Sequence, residues 1–145
     1  MQNVGLKQIV RKPLDSIVLD AAAILAMLQD EPGGDGVLAA IEEAIVPVAI
    51  SSVNFCEVVT KLVRDGLSID EARFAVQSLR EYVVAFDEAQ ALFAAGLYPA
   101  TSGSGLSLGD RACLALAAER MATAWTTDRA WKKLELGIPI KLIRH

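Results

Sequence analysis

The sequence predicts an α/β fold in which a mostly parallel sheet is covered by helices on both faces. Three observations lead there. Short apolar runs at 16–20 (SIVLD), 45–50 (IVPVAI), 82–86 (YVVAF), 123–127 (TAWTT) and 138–143 (IPIKLI) have the length and composition of buried strands. Helix-forming stretches with recognisable start and stop signals separate them, so strand and helix alternate as βαβ units do. At 145 residues, with no internal repeat or low-complexity tract, the chain has the size of one domain.

Each element has a local reason. After SIVLD, the run AAAILAMLQ at 21–29 is strongly helix-forming, and EPGGDG at 31–36 ends it with proline and glycines. A second helix is expected from near Val37. The serines of SSVN at 51–54 mark a helix start after the second strand, with the helix running to about Asp65 and Gly66 stopping it. Ser68 and Glu71 have capping-box spacing and open SIDEARFAVQSLR, in which Ile69, Ala72, Ala75, Val76 and Leu79 are expected to form one apolar stripe. DEAQALFAAGLY reads as a helix after the third strand, and TSGSG at 101–105 as a loop. Ser107 to Met121 reads as an alanine-rich helix, and DRAWKKLE as a short helix before the last strand.

Composition narrows the function. Hydrophobic residues are 53% of the chain, mean hydropathy is +0.38 and 22% of residues are charged, more apolar side chain than so short a chain readily buries. Part of the excess is expected at a partner interface. A formal charge of -4 and a pI near 5.0 exclude general electrostatic attraction to nucleic acid, so any phosphate contact must be local or carried by a metal ion. Cys56 and Cys113 lack metal-ligand spacing and read as small core residues rather than a disulfide framework. Lys7, Arg11 and Lys12 followed by IVLDAAAILAML imitate a signal peptide, but Asp15 and Asp20 interrupt it and the apolar stretch is too short to span a bilayer. A cytoplasmic protein with no membrane partner is expected.

In parallel sheets the ligand site lies beyond the carboxyl ends of the strands, and there one residue type recurs. Asp20 ends the first strand, Glu57 lies early in the helix after the second, Asp110 opens the long helix and Asp128 follows the fourth strand. Asp87, after the third strand, is a fifth acid with the same credentials. Each also has a local explanation. Asp20 and Asp128 suit helix caps, Asp110 forms a capping-box pattern with Ser107, and Glu57 has the spacing to pair with Lys61. If they converge instead, two such charges about 4 Å apart repel by roughly 4 kcal/mol at an effective dielectric near 20, which a hard divalent cation would relieve.

The segments VLDAAAILA (18–26), SSVNFCEVVTKL (51–62), LSLGDRACLALA (106–117) and TTDRAW (126–131) resemble, in order and spacing, the four motifs of PIN-domain nucleases, most closely VapC-type toxins. The likeness covers nearly the whole chain from residue 16. It implies a three-layer α/β/α domain over residues 16–145 with a central, mostly parallel sheet; residues 1–15, which lack clear periodicity, read as a leader. It also implies a Mg²⁺- or Mn²⁺-dependent endoribonuclease that hydrolyses RNA phosphodiester bonds, the toxin of a type II toxin–antitoxin module, with a cognate antitoxin and a homodimeric state. The catalytic set it implies is Asp20, Glu57, Asp110 and Asp128, and it gives Asp87 no catalytic role. Where the family usually has a serine or threonine after the first acid, this chain has Ala21, Ala22 and Ala23.

Within that likeness, Asp20, Asp110 and Asp128 are expected to bind metal, Asp20 and Asp110 holding the principal ion directly. Glu57 and Asp128 would ligate through water, hold a second ion or orient the nucleophile. Asn54, one helical turn before Glu57, and Thr127, beside Asp128, are expected to support the acids by hydrogen bonds. Arg111 and Arg129 directly follow two of the acids and are the expected phosphate contacts, with Lys132 and Lys133 less favoured. Trp125 and Trp131 are candidates to stack on bases, with at least one expected in the core. His145, a terminal residue, is a poor general base, which argues against histidine-based cleavage. Two alternatives are an RNA-processing PIN domain without an antitoxin and a catalytically inactive protein-binding module. A phosphoryl-accepting domain is disfavoured because LDAAA lacks a second acid.

Overall fold

The computed structural model describes residues 16–144, so the expected leader at 1–15 and His145 lie outside the described residues. Strand β1 is Ile17–Leu19, followed by helix α1 at Ala21–Leu28 and α2 at Gly34–Glu43. Strand β2, Val48–Ser51, runs directly into α3, Ser52–Arg64, and α4 follows at Ile69–Ala75. After β3 (Val83–Val84) come α5 (Glu88–Gly96) and the single turn α6 (Tyr98–Thr101). The long helix α7, Leu108–Arg120, precedes β4 (Thr123–Thr126) and β5 (Ile140–Leu142).

All five strands are parallel, in the order β3-β2-β1-β4-β5. Period-two alternation sends side chains to two separate cores. Ile17, Leu19, Ile50 and Trp125 face one core together with Ile24 from α1, Val37 from α2 and Val58 and Leu62 from α3. Val18, Ala49 and Ala124 face the other with Cys113, Leu114, Leu116 and Ala117 from α7 and with Trp131. The expected three-layer α/β/α arrangement with a parallel central sheet is therefore what the chain forms. The sheet grows outward in both directions from β1, so the switch in strand order falls between β1 and β4, the position where parallel sheets open a crevice for ligands.

Several elements differ from the sequence expectation, each for a local reason. The helix begun at Ser68 stops at Ala75 and tightens into a 3₁₀ segment at Gln77–Tyr82. A three-residue period puts Val76 and Leu79 on one face, where both are buried, with half-buried Tyr82 next in the series. Of the expected stripe, Ile69 and Ala75 are exposed. The expected loop at 101–105 is instead the end of α6 followed by a 3₁₀ turn, Ser102–Ser104, because the Thr101 hydroxyl donates to the Leu97 carbonyl at 2.8 Å and holds the turn closed. The segment after β4 is also 3₁₀, Arg129–Lys133. Helix α2 begins at Gly34, three residues before the expected start, with Gly33 in the left-handed region at φ 90°.

Gly34 sits where α1 and α2 touch, and a Cβ there would overlap the backbone carbonyl of Ala26. Backbone atoms cannot yield as a flexible side chain does. Gly34→Ala is expected to lower stability by about 2 kcal/mol, read as a shifted midpoint in chemical denaturation.

Candidate active site

Beyond the last residues of β1 and β4 the chain places acids, and the register explains how. Leu19 pairs with Trp125, so Asp20 lies level with Thr126. Extending the β1–β2 register of Val18 with Ala49 by two residues sets Ser51 on the other side of Asp20. Ser51, Asp20 and Thr126 are all buried and form a polar row across the carboxyl edge of three strands.

Asp20 is the centre of the site and is only 4% exposed. It caps α1 by accepting the Ala23 amide at 2.7 Å, and the Thr126 hydroxyl bonds to the same carboxylate. Burial nevertheless pushes its pKa from 3.8 to about 7, with the negative charges of Asp110 and Glu57 adding to the rise. Asp110 and Glu57, from distant stretches of chain, are therefore close enough for their charges to act on Asp20. They also act on Cys113, whose thiol is pushed well above its ordinary range, mainly by burial and then by Asp20, Asp110 and Glu57. Cys113 is thus a neutral thiol beneath the acids rather than a nucleophile.

Glu57 extends from α3 toward the first turn of α7. Its Oε1 accepts the Asn54 side-chain amide at 2.9 Å, while the same Nδ2 group donates to the Gly109 carbonyl at 3.0 Å. Asn54 is buried and its Oδ1 has no partner among the described residues. Both neighbours of Nδ2 are acceptors, so turning the amide over would set oxygen against oxygen, and the orientation is fixed chemically. Asp110 closes the capping box of α7. Its carboxylate accepts the Ser107 amide at 2.9 Å while its own amide donates to the Ser107 hydroxyl at 3.2 Å.

Asp128 stands apart from these three. It is exposed, caps the 3₁₀ segment by accepting the Ala130 amide at 2.9 Å, and is not among the charges acting on Asp20. Its link to the site runs through Thr126, whose Oγ1 accepts the Asp128 amide at 3.1 Å. The hydroxyl that bonds Asp20 and the Asp128 amide is that of Thr126, whereas Thr127, the expected support, lies just past the end of β4. Asn54 lies beside Glu57 and donates to its carboxylate. Asp87 caps α5 through Gln90 and is placed at the sheet's far edge.

The basic residues divide in a similar way. Arg111 was expected at phosphate, but its Nη1 donates to the Ala94 carbonyl at 3.0 Å and its guanidinium lies over the Tyr98 ring, so it ties α7 to α5 and α6. Arg129 is exposed beside Asp128. Lys132 donates to the Ile140 carbonyl. Neither tryptophan is available for stacking on bases. Trp131 is fully buried, and Trp125 is buried with the Lys141 ammonium over its ring at 4.3 Å. Cys56, expected in the core, is exposed. The local alternative for Glu57, a pair with Lys61, does not form: Lys61 pairs with Asp65.

Among the described residues, no three His, Cys, Asp or Glu side chains stand close enough to form a ready cage for one ion. The donor set nonetheless suits a hard divalent cation. Its acids are all oxygen donors, one carboxylate is buried and feels two like charges, and the neutral amide oxygen of Asn54 has no donor among the described residues.

A family model described as a PIN domain matches residues 17–136. The chain belongs to the PIN-domain family. Its fold is similar to that of a DNA-bound VapBC complex from Salmonella typhimurium, at TM-score 0.71 and 16% identity over 90% of this chain and 99% of the other. It is also similar to VapBC2 from Rickettsia felis bound to a promoter DNA fragment (TM-score 0.68, 13% identity, 88% and 98% covered). VapBC-1 from nontypeable Haemophilus influenzae is a third (0.66, 15%, 88% and 98%). No curated protein matches the chain significantly. In this PIN domain, no helix of the described residues is long and apolar enough to cross a membrane.

Proposed function

We propose that this PIN domain is a divalent-metal-dependent endoribonuclease, the toxin of a VapBC-like toxin–antitoxin module. The observation that carries this reading is Asp20, buried at the end of β1 beside the strand-order switch, with the charges of Asp110 and Glu57 acting on it. Such an arrangement is unfavourable alone and favourable around Mg²⁺ or Mn²⁺. Asp20 and Asp110 would hold the ion, with Glu57 and Asp128 completing the set by direct or water-bridged contact. The chemistry supplied by such a cation when bound is activation of water and neutralisation of charge building on the phosphoryl oxygens.

The chain's own residues do the rest. Thr126 orients Asp20 and, through the Asp128 amide, ties the end of β4 to it. Asn54 holds Glu57, and Arg129, exposed and next to Asp128 in the chain, would meet a flanking phosphate. A cognate antitoxin and a second copy of the chain are the proposed protein partners. Exposed Phe74, Leu92 and Ile45, and an apolar groove of about 440 Å³ that includes Phe55, Val59 and Val63, supply surface for them.

The test uses purified protein freed of any bound partner, a panel of structured RNAs, and Mn²⁺ or a chelator. Cleavage is expected only with the cation. Cleavage that persists under chelation and in an Asp20→Asn variant would overturn the reading.

A further inference from the structure

We infer that Asn54 and Gly109 form a latch that positions Glu57: the amide of one and the missing side chain of the other hold its carboxylate against the first turn of α7. Its consequence for cleavage rests on the nuclease reading proposed above.

Glu57 is an exposed residue on α3 with a flexible side chain, and the course of the helix backbone does not by itself fix where the carboxylate lies. Two features of the structure do. A Cβ built on Gly109 would overlap both carboxylate oxygens of Glu57 and its Cδ, so the carboxylate occupies the space that any other residue at 109 would fill. Gly109 has an ordinary helical backbone inside α7, and no special conformation accounts for glycine there. What the absent side chain provides is room. The second feature is the Asn54 amide, which reaches Glu57 Oε1 and the Gly109 carbonyl at once, at 2.9 Å and 3.0 Å, and so joins both halves of the latch. Asn54 and Gly109 are both buried, whereas Glu57 is not, which makes them the fixed parts and the carboxylate the part held.

The geometry also indicates how the latch opens. The atoms in the way of a side chain at 109 are the far end of a flexible Glu, not backbone. Gly109→Ala should therefore expel the carboxylate and leave the fold intact. Asn54 and Gly109 act through Glu57 and are positioning residues.

The direct test is a ¹⁵N spectrum of the cation-free protein, following the two Asn54 side-chain amide protons. In the wild type both are expected to be protected from exchange. In Gly109→Ala, the proton facing Glu57 should lose protection while its sister, bonded to the Gly109 carbonyl, keeps it. An Asn54 amide unprotected in the wild type, or unchanged in the variant, overturns the latch. In parallel, Mn²⁺ affinity is expected to fall about tenfold in Gly109→Ala, as for loss of a group that orients a ligand. KM for RNA should hold nearly constant, and Gly109→Ala combined with Glu57→Gln should be no worse than Glu57→Gln alone. Losses that multiply in the combination would show that Gly109 acts by another route and overturn the positioning role. A wild-type protein that binds no Mn²⁺ would instead sink the nuclease reading, and the amide spectra would still decide the latch.

Discussion

Replacing Asp20 by Asn is expected to abolish RNA cleavage and, at the same time, to make the cation-free protein more stable. Asn is nearly isosteric and a good helix cap, so the bond to the Ala23 amide survives. What disappears is a buried negative charge. The difference between the ordinary aspartate pKa of 3.8 and about 7 corresponds to roughly 4 kcal/mol of penalty on the charged form in the folded chain. The sign follows from proton linkage: between these values the folded state binds more protons than the unfolded one, so wild-type stability falls as pH rises. Asp20 therefore costs nothing below about pH 4, increasingly more up to about pH 7, and a constant amount above that. Chemical denaturation across this range should show Asp20→Asn pulling ahead of the wild type by up to about 4 kcal/mol, with its own pH slope flattened. Cleavage by the variant should be lower by more than about a hundredfold, the upper end for residues that only support a ligand.

Thr126→Val is expected to have the next largest effect. Valine keeps the shape of a fully buried threonine but removes the hydroxyl that bonds Asp20 and accepts the Asp128 amide. Since that bond lowers the pKa of Asp20, its loss should raise it further, and cleavage should need a higher pH to reach its plateau. The rate near neutral pH is expected to fall by about 10- to 100-fold. Thr127→Val, in contrast, should stay near wild type. A pH–rate profile of the two variants decides between them.

The contrast between these neighbours marks the limit of what the sequence reveals. The rule that ligands gather at the carboxyl ends of parallel strands yields five acids, from which the PIN-domain resemblance selects Asp20, Glu57, Asp110 and Asp128, while the fold class follows from the alternation of strand and helix patterns. Which threonine serves Asp20 depends on the pairing of Leu19 with Trp125, and register between strands about a hundred residues apart leaves no trace in either segment. Arg111 illustrates the same gap. Its position after Asp110 suggested a phosphate contact, yet one residue along a helix is a rotation of about 100°, and the guanidinium finds the Ala94 carbonyl on α5. Gly109 was read only as part of a motif, because its role depends on a side chain arriving from α3. The caps behaved differently. Asp20, Asp110 and Asp128 each satisfy a helix start, as their local spacing suggested, and for Asp20 and Asp110 capping coexists with membership of the cluster rather than excluding it.

The central claim is that Asp20, Glu57 and Asp110 are arranged for a doubly charged ion, and the most direct measurement is thermal unfolding of partner-free protein at pH 8 as Mn²⁺ is added. With Mn²⁺ about a hundredfold above its dissociation constant, wild-type Tm should rise by roughly 10 °C, and Asp20→Asn should barely respond. A wild-type Tm indifferent to Mn²⁺, or a variant stabilised as much as the wild type, would contradict the account.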